Sequence, residues 1–94
     1  MNERQAYVDK MHAQLDAADA RIKDLQAKAK NASAESRIEM QRRLDELRAQ
    51  RKKISESMKS LQNATADSWS DVKTGFERAW GEFKSSVESA ANRF

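Results

Sequence analysis

The chain has 94 residues with no cysteine, no proline and two glycines, and it carries 18 Lys and Arg against 15 Asp and Glu. Without cysteine it has no disulfide framework, no thiolate nucleophile and no thiolate metal site. With 35% charged residues and 15 alanines, the composition is typical of long helices or a coiled coil, and the length limits the chain to one domain, 1–94.

We predict no signal peptide at the N-terminus. Residues 1–5 (MNERQ) contain no apolar segment of the kind that a signal peptide needs. No part of the chain approaches the roughly 20 consecutive apolar residues of a membrane-spanning helix. We therefore predict a cytoplasmic protein.

The first two thirds of the chain carry a stripe of apolar or small residues that recur four and three positions apart. Its first run is Met11, Leu15, Ala18, Ile22, Leu25, Ala29 and Ala32, and its second run is Met40, Leu44, Leu47, Arg51, Ile54, Met58 and Leu61. This is the spacing of heptad positions a and d, and Ser36 joins the two runs. The stripe predicts one long coiled-coil helix over 3–62, about 90 Å in length at 1.5 Å per residue.

Two similar stretches, 31–36 (NASAES) and 63–68 (NATADS), have the composition of turns. Each places a hydroxyl residue two positions before an acid, a pattern typical of a helix N-cap with a carboxylate in the first turn. The second stretch is the more polar, whereas alanines around the first favour continuation of the helix. We predict a turn after residue 62, and the alternative is an up-down-up three-helix bundle with a second turn near 31–36.

The last third predicts an aromatic-rich amphipathic helix over 67–93 that packs back antiparallel on the long helix. Its apolar face consists of Trp69, Val72, Phe76, Trp80, Phe83, Val87, Ala90 and Phe94. Gly75 and Gly81 each cost about 1 kcal/mol relative to alanine inside a helix. They therefore predict either a close approach of a neighbouring backbone or room beside the indoles.

The chain offers little for catalysis or ligand binding. His12, the only histidine, has Asp9 and Asp16 on its helix face, but one face cannot enclose a metal ion, and we interpret His12 as structural or solvated. There is no Ser/His/acid set and no Gly-rich phosphate loop. We predict no enzyme, no cofactor and no small-molecule substrate.

The hairpin of the long helix and the aromatic helix would leave part of the stripe over 11–32 uncovered. We therefore predict self-association, as a dimer or a tetramer. The residues expected in self-association or packing are Met11, Leu15, Ile22, Leu25, Leu44, Leu47, Ile54, Met58, Leu61, Trp69, Val72, Phe76, Trp80, Phe83, Val87 and Phe94.

Two rival hypotheses concern other partners. A basic stretch, comprising Arg42, Arg43, Arg48, Arg51, Lys52 and Lys53, fits an anionic partner such as nucleic acid, although interleaved acids favour a solvated helix face. The aromatic helix fits a membrane surface, with Lys73, Arg78, Lys84 and Arg93 near the headgroups. Residues 63–94 hold four cations and five anions, a balance that favours docking on protein over an anionic bilayer.

Several segments resemble a family of short bacterial coiled-coil proteins that are described as stress-response or uncharacterised. The segments are 7–11 (YVDKM) with 14–16 (QLD), 44–48 (LxxLR), 69–83 (WxxVKxGxExAWxxF) and 90–94 (AxxRF), of which the tryptophan-containing tail is the most specific. A Gly-Asp turn usually precedes the first tryptophan in that family, where this chain has Ala66-Asp67-Ser68. The resemblance implies a bacterial cytosolic protein linked to stress, with no activity to assign to any residue.

Overall fold

The computed structural model describes residues 3–94, so residues 1 and 2 of the predicted domain lie outside the described range. Three helices make up most of it: α1 (Glu3–Lys30), α2 (Ala34–Asn63) and α3 (Trp69–Arg93). Residues 3–94 contain no strand. The all-α prediction is confirmed, and the architecture is a three-helix bundle.

The helices run up, down and up. Asp19 pairs with Arg51, and His12 pairs with Gln62, so α1 and α2 are antiparallel. The ring of Tyr7, near the start of α1, meets residues near the start of α3, so these two helices are parallel. The bundle measures 51 × 20 × 17 Å, close to the length of one 30-residue helix at 1.5 Å per residue (about 45 Å).

The predicted long helix over 3–62 is wrong, and the alternative with two turns is observed. The chain reverses direction at residues 31–33. Ser33 is the N-cap of α2: its backbone is extended (φ −61°, ψ 162°), and its hydroxyl accepts a hydrogen bond from the Ser36 amide at 3.3 Å. Glu35 lies in the first turn, where a carboxylate is favoured by the helix dipole. The cap pattern that was present in the sequence therefore outweighs the alanines around it.

The second turn depends on two hydroxyls. The Thr65 amide donates to the Ser68 hydroxyl at 3.0 Å, and the Ser68 amide donates to the Thr65 hydroxyl at 3.3 Å. This reciprocal pair satisfies two backbone donors that the helices leave unbonded. The N-cap residue of α3 is Ser68, whose side chain makes no cap hydrogen bond to the helix, and α3 begins at Trp69, two residues later than predicted.

One continuous core runs along the bundle. Its buried side chains come from all three helices: Val8, Met11, Leu15, Ala18, Ile22, Leu25, Ala29, Met40, Leu44, Leu47, Ile54, Met58, Leu61, Phe76, Phe83, Val87 and Ala90. Tyr7, Ala32, Trp69, Val72, Ala79, Trp80 and Phe94 pack against it, partly buried.

The stripe expected to remain uncovered is buried within a single chain. Every member from Met11 to Ala29 lies in the core, because α2 and α3 both fold back onto α1. The premise of an exposed stripe is therefore wrong. Self-association would have to use the surface that the bundle leaves open.

The cap at Ser33 distinguishes the two architectures by the sign of a stability change. We expect Ser33→Ala to lower the free energy of unfolding by about 1 kcal/mol, because the Ser36 amide loses its acceptor. In a continuous helix the same change would raise it by up to about 0.5 kcal/mol, because alanine is the better helix former. Urea denaturation measures the difference. Ser36→Ala is the control, since it keeps the backbone donor, and a stabilised Ser33→Ala protein would contradict the turn.

Two isoleucines provide a matched test of the core. Ile54 is 1% exposed and Ile38 is 75% exposed, both within α2. We expect Ile54→Ala to lower the free energy of unfolding by about 2–5 kcal/mol through lost burial and a cavity. Ile38→Ala is expected to change it by no more than about 0.5 kcal/mol. Similar urea midpoints for the two variants would be incompatible with this packing.

Candidate functional site

An aromatic junction joins the first turns of α1 to the first turns of α3. The Tyr7 ring meets Trp69 edge-on, with centroids 5.8 Å apart and planes at 88°, and meets Phe76 at 6.4 Å and 79°. The Arg4 guanidinium lies 5.0 Å from the Trp69 ring, and the Lys73 ammonium lies 4.7 Å from the Tyr7 ring. Edge-on ring pairs and cation–π contacts each contribute about 0.5–1.5 kcal/mol, so this end of the α1–α3 interface is closed.

Tyr7 also has an altered ionisation. Burial raises the pKa of the Tyr7 phenol above 10.0, and the negative charge of Glu77, together with its hydrogen bond to the phenol, raises this pKa further. The phenol therefore stays protonated at neutral pH, close to the Glu77 carboxylate of α3.

Beyond the junction the two parallel helices separate and leave a groove of about 260 Å³, which we call the α1–α3 groove. Its lining residues are Gln14, Ala17, Ala18, Arg21, Trp80, Lys84, Val87 and Glu88. Because the alanine side chains are short, the α1 wall of the groove is shallow. The half-buried Trp80 indole forms the α3 wall. That indole is fixed by stacking on Phe76 (6.3 Å, 14°) and by an edge contact with Phe83 (5.7 Å, 63°).

Three charged side chains of both signs surround this apolar floor. They are Arg21 on α1 and Lys84 and Glu88 on α3. Within residues 3–94 none of the three takes part in an ion pair or hydrogen bond. Their donors and acceptors therefore remain free to bind a partner.

Gly81 follows Trp80 on the same helix. Nothing lies within 4 Å of the position that a Cβ atom would take at Gly81, and the same holds for Gly75. The predicted close approach of a neighbouring backbone thus does not occur within the chain. Because an alanine would fit at Gly81 and would favour the helix, the packing of a single chain gives no reason for a glycine beside the groove.

The predicted packing residues and the predicted basic stretch have different outcomes. All sixteen packing residues are buried or partly buried, as their spacing indicated. The basic stretch does not form one surface: Arg51 crosses to Asp19 on α1 at 2.9 Å, and Arg43 and Arg48 pair along α2 with carboxylates.

The remaining cations of the basic stretch are solvent-exposed. Arg42, Lys52 and Lys53 lie on the outer face of α2, where they alternate with the exposed carboxylates Asp45, Glu46 and Glu56. A helix turns by about 100° per residue, so consecutive cations point in different directions. The solvated-face interpretation therefore accounts for this stretch better than a nucleic-acid surface does.

The aromatic face of α3, which the membrane hypothesis requires to be accessible, is packed in the bundle. Phe76, Phe83 and Val87 lie in the core, so α3 would have to leave the bundle to insert them into a bilayer. Between residues 3 and 94 no helix combines the length and the apolar character that crossing a membrane requires.

The single histidine lies away from any cluster of metal-binding side chains in the part of the chain that the structure describes. His12 is exposed, and its Nε2 is 2.9 Å from the Gln62 amide nitrogen. Among residues 3–94 no three His, Cys, Asp or Glu side chains come together to hold a metal ion. Sequence reasoning identified Trp80 as a packing residue but missed Ala17, Arg21, Lys84 and Glu88 as the lining of one groove.

Comparison of the chain with protein-family models, with curated proteins and with solved structures gives no match. The resemblance to short bacterial coiled-coil proteins therefore stays a prediction.

The single tyrosine allows a direct test of the aromatic junction. We expect its absorbance titration to have a midpoint above 10.0, because burial and Glu77 both raise the pKa of Tyr7. Glu77→Gln should lower the midpoint yet leave it above 10.0, since burial, the larger cause, remains. A midpoint at the ordinary value in the wild-type protein would show that the junction is open.

The same shift sets a pH dependence of stability. The pKa of Tyr7 is higher in the folded chain than in the unfolded chain. Its contribution to the free energy of unfolding is therefore fully present below pH 10.0 and is lost as the pH rises through the pKa of the folded chain. A Tyr7→Phe variant, measured in parallel, should lack this component.

Proposed function

We propose that the protein is a non-enzymatic, self-associating helical protein that forms a two-fold dimer through the α1–α3 groove. The observation that carries the proposal is the composition of that groove, an apolar floor surrounded by free charges of both signs. A surface with both signs can pair with a copy of itself, whereas a surface of one sign would repel its copy.

A two-fold axis parallel to the bundle provides the pairing. It places α1 of each subunit over α3 of the other, with the helices running in the same direction. Arg21 and Glu88 line the same part of the groove from opposite helices. In the dimer, each Arg21 would therefore face the partner's Glu88, forming two equivalent ion pairs around the alanines and the indoles.

The dimensions of the bundle are sufficient for such an interface. A side of 51 by 20 Å presents about 1,000 Å² in projection, and a standard interface buries about 800 Å² on each partner. Tryptophan is enriched at the centres of interfaces, and the half-buried Trp80 is part of the lining of this groove. Gly81, next to that indole, would let the partner's helix approach closely.

The wider role follows from the same proposal. A dimer that associates again through its outer faces gives the tetramer that the sequence also suggests, and the helix of another protein is the competing occupant of the groove. The cytoplasmic location rests on the composition of the chain. The link to bacterial stress rests on the resemblance alone.

Charge reversal tests the pairing. We expect Arg21→Glu and Glu88→Arg each to raise the dimer dissociation constant tenfold or more, because each places like charges opposite one another at two symmetry-related positions. The double variant, Arg21→Glu with Glu88→Arg, should restore association close to the wild-type level. Sedimentation equilibrium over a range of protein concentrations gives the dissociation constants of the wild-type protein and the three variants.

A matched reversal on the outer face of α2 serves as the control. Lys52→Glu with Glu56→Lys, singly and together, changes exposed charges away from the groove and should leave the dissociation constant unchanged. A wild-type protein that stays monomeric at all concentrations, or a double variant as weak as the single variants, would rule out this interface.

A further inference from the structure

A second groove lies on a different side of the bundle, between the last turns of α1 and the first half of α2. We call it the α1–α2 groove, and its volume is about 460 Å³. Lys30, Arg37 and Arg48 supply three cations to its lining, and Gln26 and Gln41 supply two carboxamides. Its floor is formed by Ala29 and Leu44, which belong to the core.

Two hydrogen bonds hold the guanidinium groups of this groove in place. Arg37 donates from Nη2 to the Ala32 carbonyl oxygen at 3.2 Å, which ties its side chain to the α1–α2 turn. Arg48 donates from Nη1 to Asp45 Oδ1 at 3.2 Å. An arginine has five N–H donors, so each guanidinium retains most of them for a ligand.

The Asp45 carboxylate, next to the groove, contacts two of the lining side chains. Asp45 Oδ1 accepts from Arg48 and also from the Gln41 amide, at 3.3 Å, so that a single oxygen orients two lining side chains. With Asp45 included, the local balance is two positive charges. Lys30 has no ion pair or hydrogen bond within residues 3–94, and its ammonium is free.

We propose that the α1–α2 groove binds an oligophosphate group, as carried by inorganic pyrophosphate or by a nucleotide. Arginine forks match the geometry of phosphate oxygens, and a lysine adds a mobile point charge. The net charge of +2, reached only after Asp45 is counted, suits a chain of two or three phosphates. The volume lies within the 300–1,000 Å³ of small-ligand sites.

The lining also indicates that the groove does not recognise a nucleotide base. It contains no aromatic side chain on which a base could stack. Recognition is therefore confined to the phosphates, so pyrophosphate and a nucleoside triphosphate should bind with affinities that differ by only a few-fold. This inference is independent of the proposed dimer, because the two grooves share no residue.

Calorimetric titration with inorganic pyrophosphate tests the site. We expect binding by the wild-type protein, and a dissociation constant at least tenfold higher for the double variant Arg37→Gln with Arg48→Gln. The double variant Arg37→Lys with Arg48→Lys keeps the charge but loses the fork, and it should fall between these two. Circular dichroism of each variant verifies that the bundle remains helical.

The matched control is Lys53→Gln with Arg78→Gln. Lys53 and Arg78 are both exposed, line neither groove, and carry the same total charge as the arginines removed from the site. This control should bind pyrophosphate as the wild-type protein does. Absence of wild-type binding, or equal weakening in the two glutamine variants, would overturn the proposal, because equal weakening indicates diffuse attraction to a basic protein. A nucleoside triphosphate that binds more than tenfold tighter than pyrophosphate would also overturn it, since the base would then be recognised.

Discussion

The hydrogen bond from the Ser36 amide to the Ser33 hydroxyl starts α2 as a separate helix, and the direction of later contacts follows from that start. Once α2 reverses, α3 must run parallel to α1, because it reverses again after Asn63. The parallel arrangement brings Tyr7 to Trp69 at one end of the bundle. It also leaves the α1–α3 groove open further along. The same reversal sets Lys30, at the end of α1, beside Arg37, near the start of α2.

Burial explains why the chain turns at residues 31–33. A continuous helix over 3–62 would keep its full ladder of backbone hydrogen bonds but would leave most of two apolar stripes in water. Each large aliphatic side chain gains about 1.5–3 kcal/mol from burial, whereas the alanines near the turn favour helix by only a few tenths of a kcal/mol each. With Ser33 satisfying one of the free amides, the turn costs little, and the gain from a closed core is larger.

The all-α class, the core residues and the position of α3 followed from the sequence, because the spacing of apolar residues reports one face of a helix directly. The turn did not follow, since local propensity at Ala32 and Ala34 says nothing about the core that α2 gains by folding back. The basic stretch 42–53 was interpreted as a solvated helix face, and its cations do not form one surface. Neighbours in sequence point around the helix, so Arg51 meets Asp19 while Arg42 faces outward.

Both grooves escaped the sequence because their residues come from distant parts of the chain. Arg21 and Glu88 are 67 positions apart and are unremarkable on their own helices. Only the parallel arrangement of α1 and α3 brings them into the lining of one groove. Lys30 and Arg37 are closer in sequence, but a continuous helix would hold them about 10 Å apart along its axis, at 1.5 Å per residue. The turn makes them line one groove.

The three helix–helix interfaces of the bundle are held together by different contacts. The distribution of these contacts determines which surfaces remain open. Asp19 and Arg51 bridge α1 and α2 near the middle of both helices. Arg93 and Glu39 bridge α3 and α2 at the end where α3 finishes. Between α1 and α3 the ring and cation contacts all involve Arg4 or Tyr7, near the start of α1. The α1–α3 side is therefore the least restrained beyond its aromatic junction, and it is the side where a helix from a second copy displaces no interaction that the chain makes with itself.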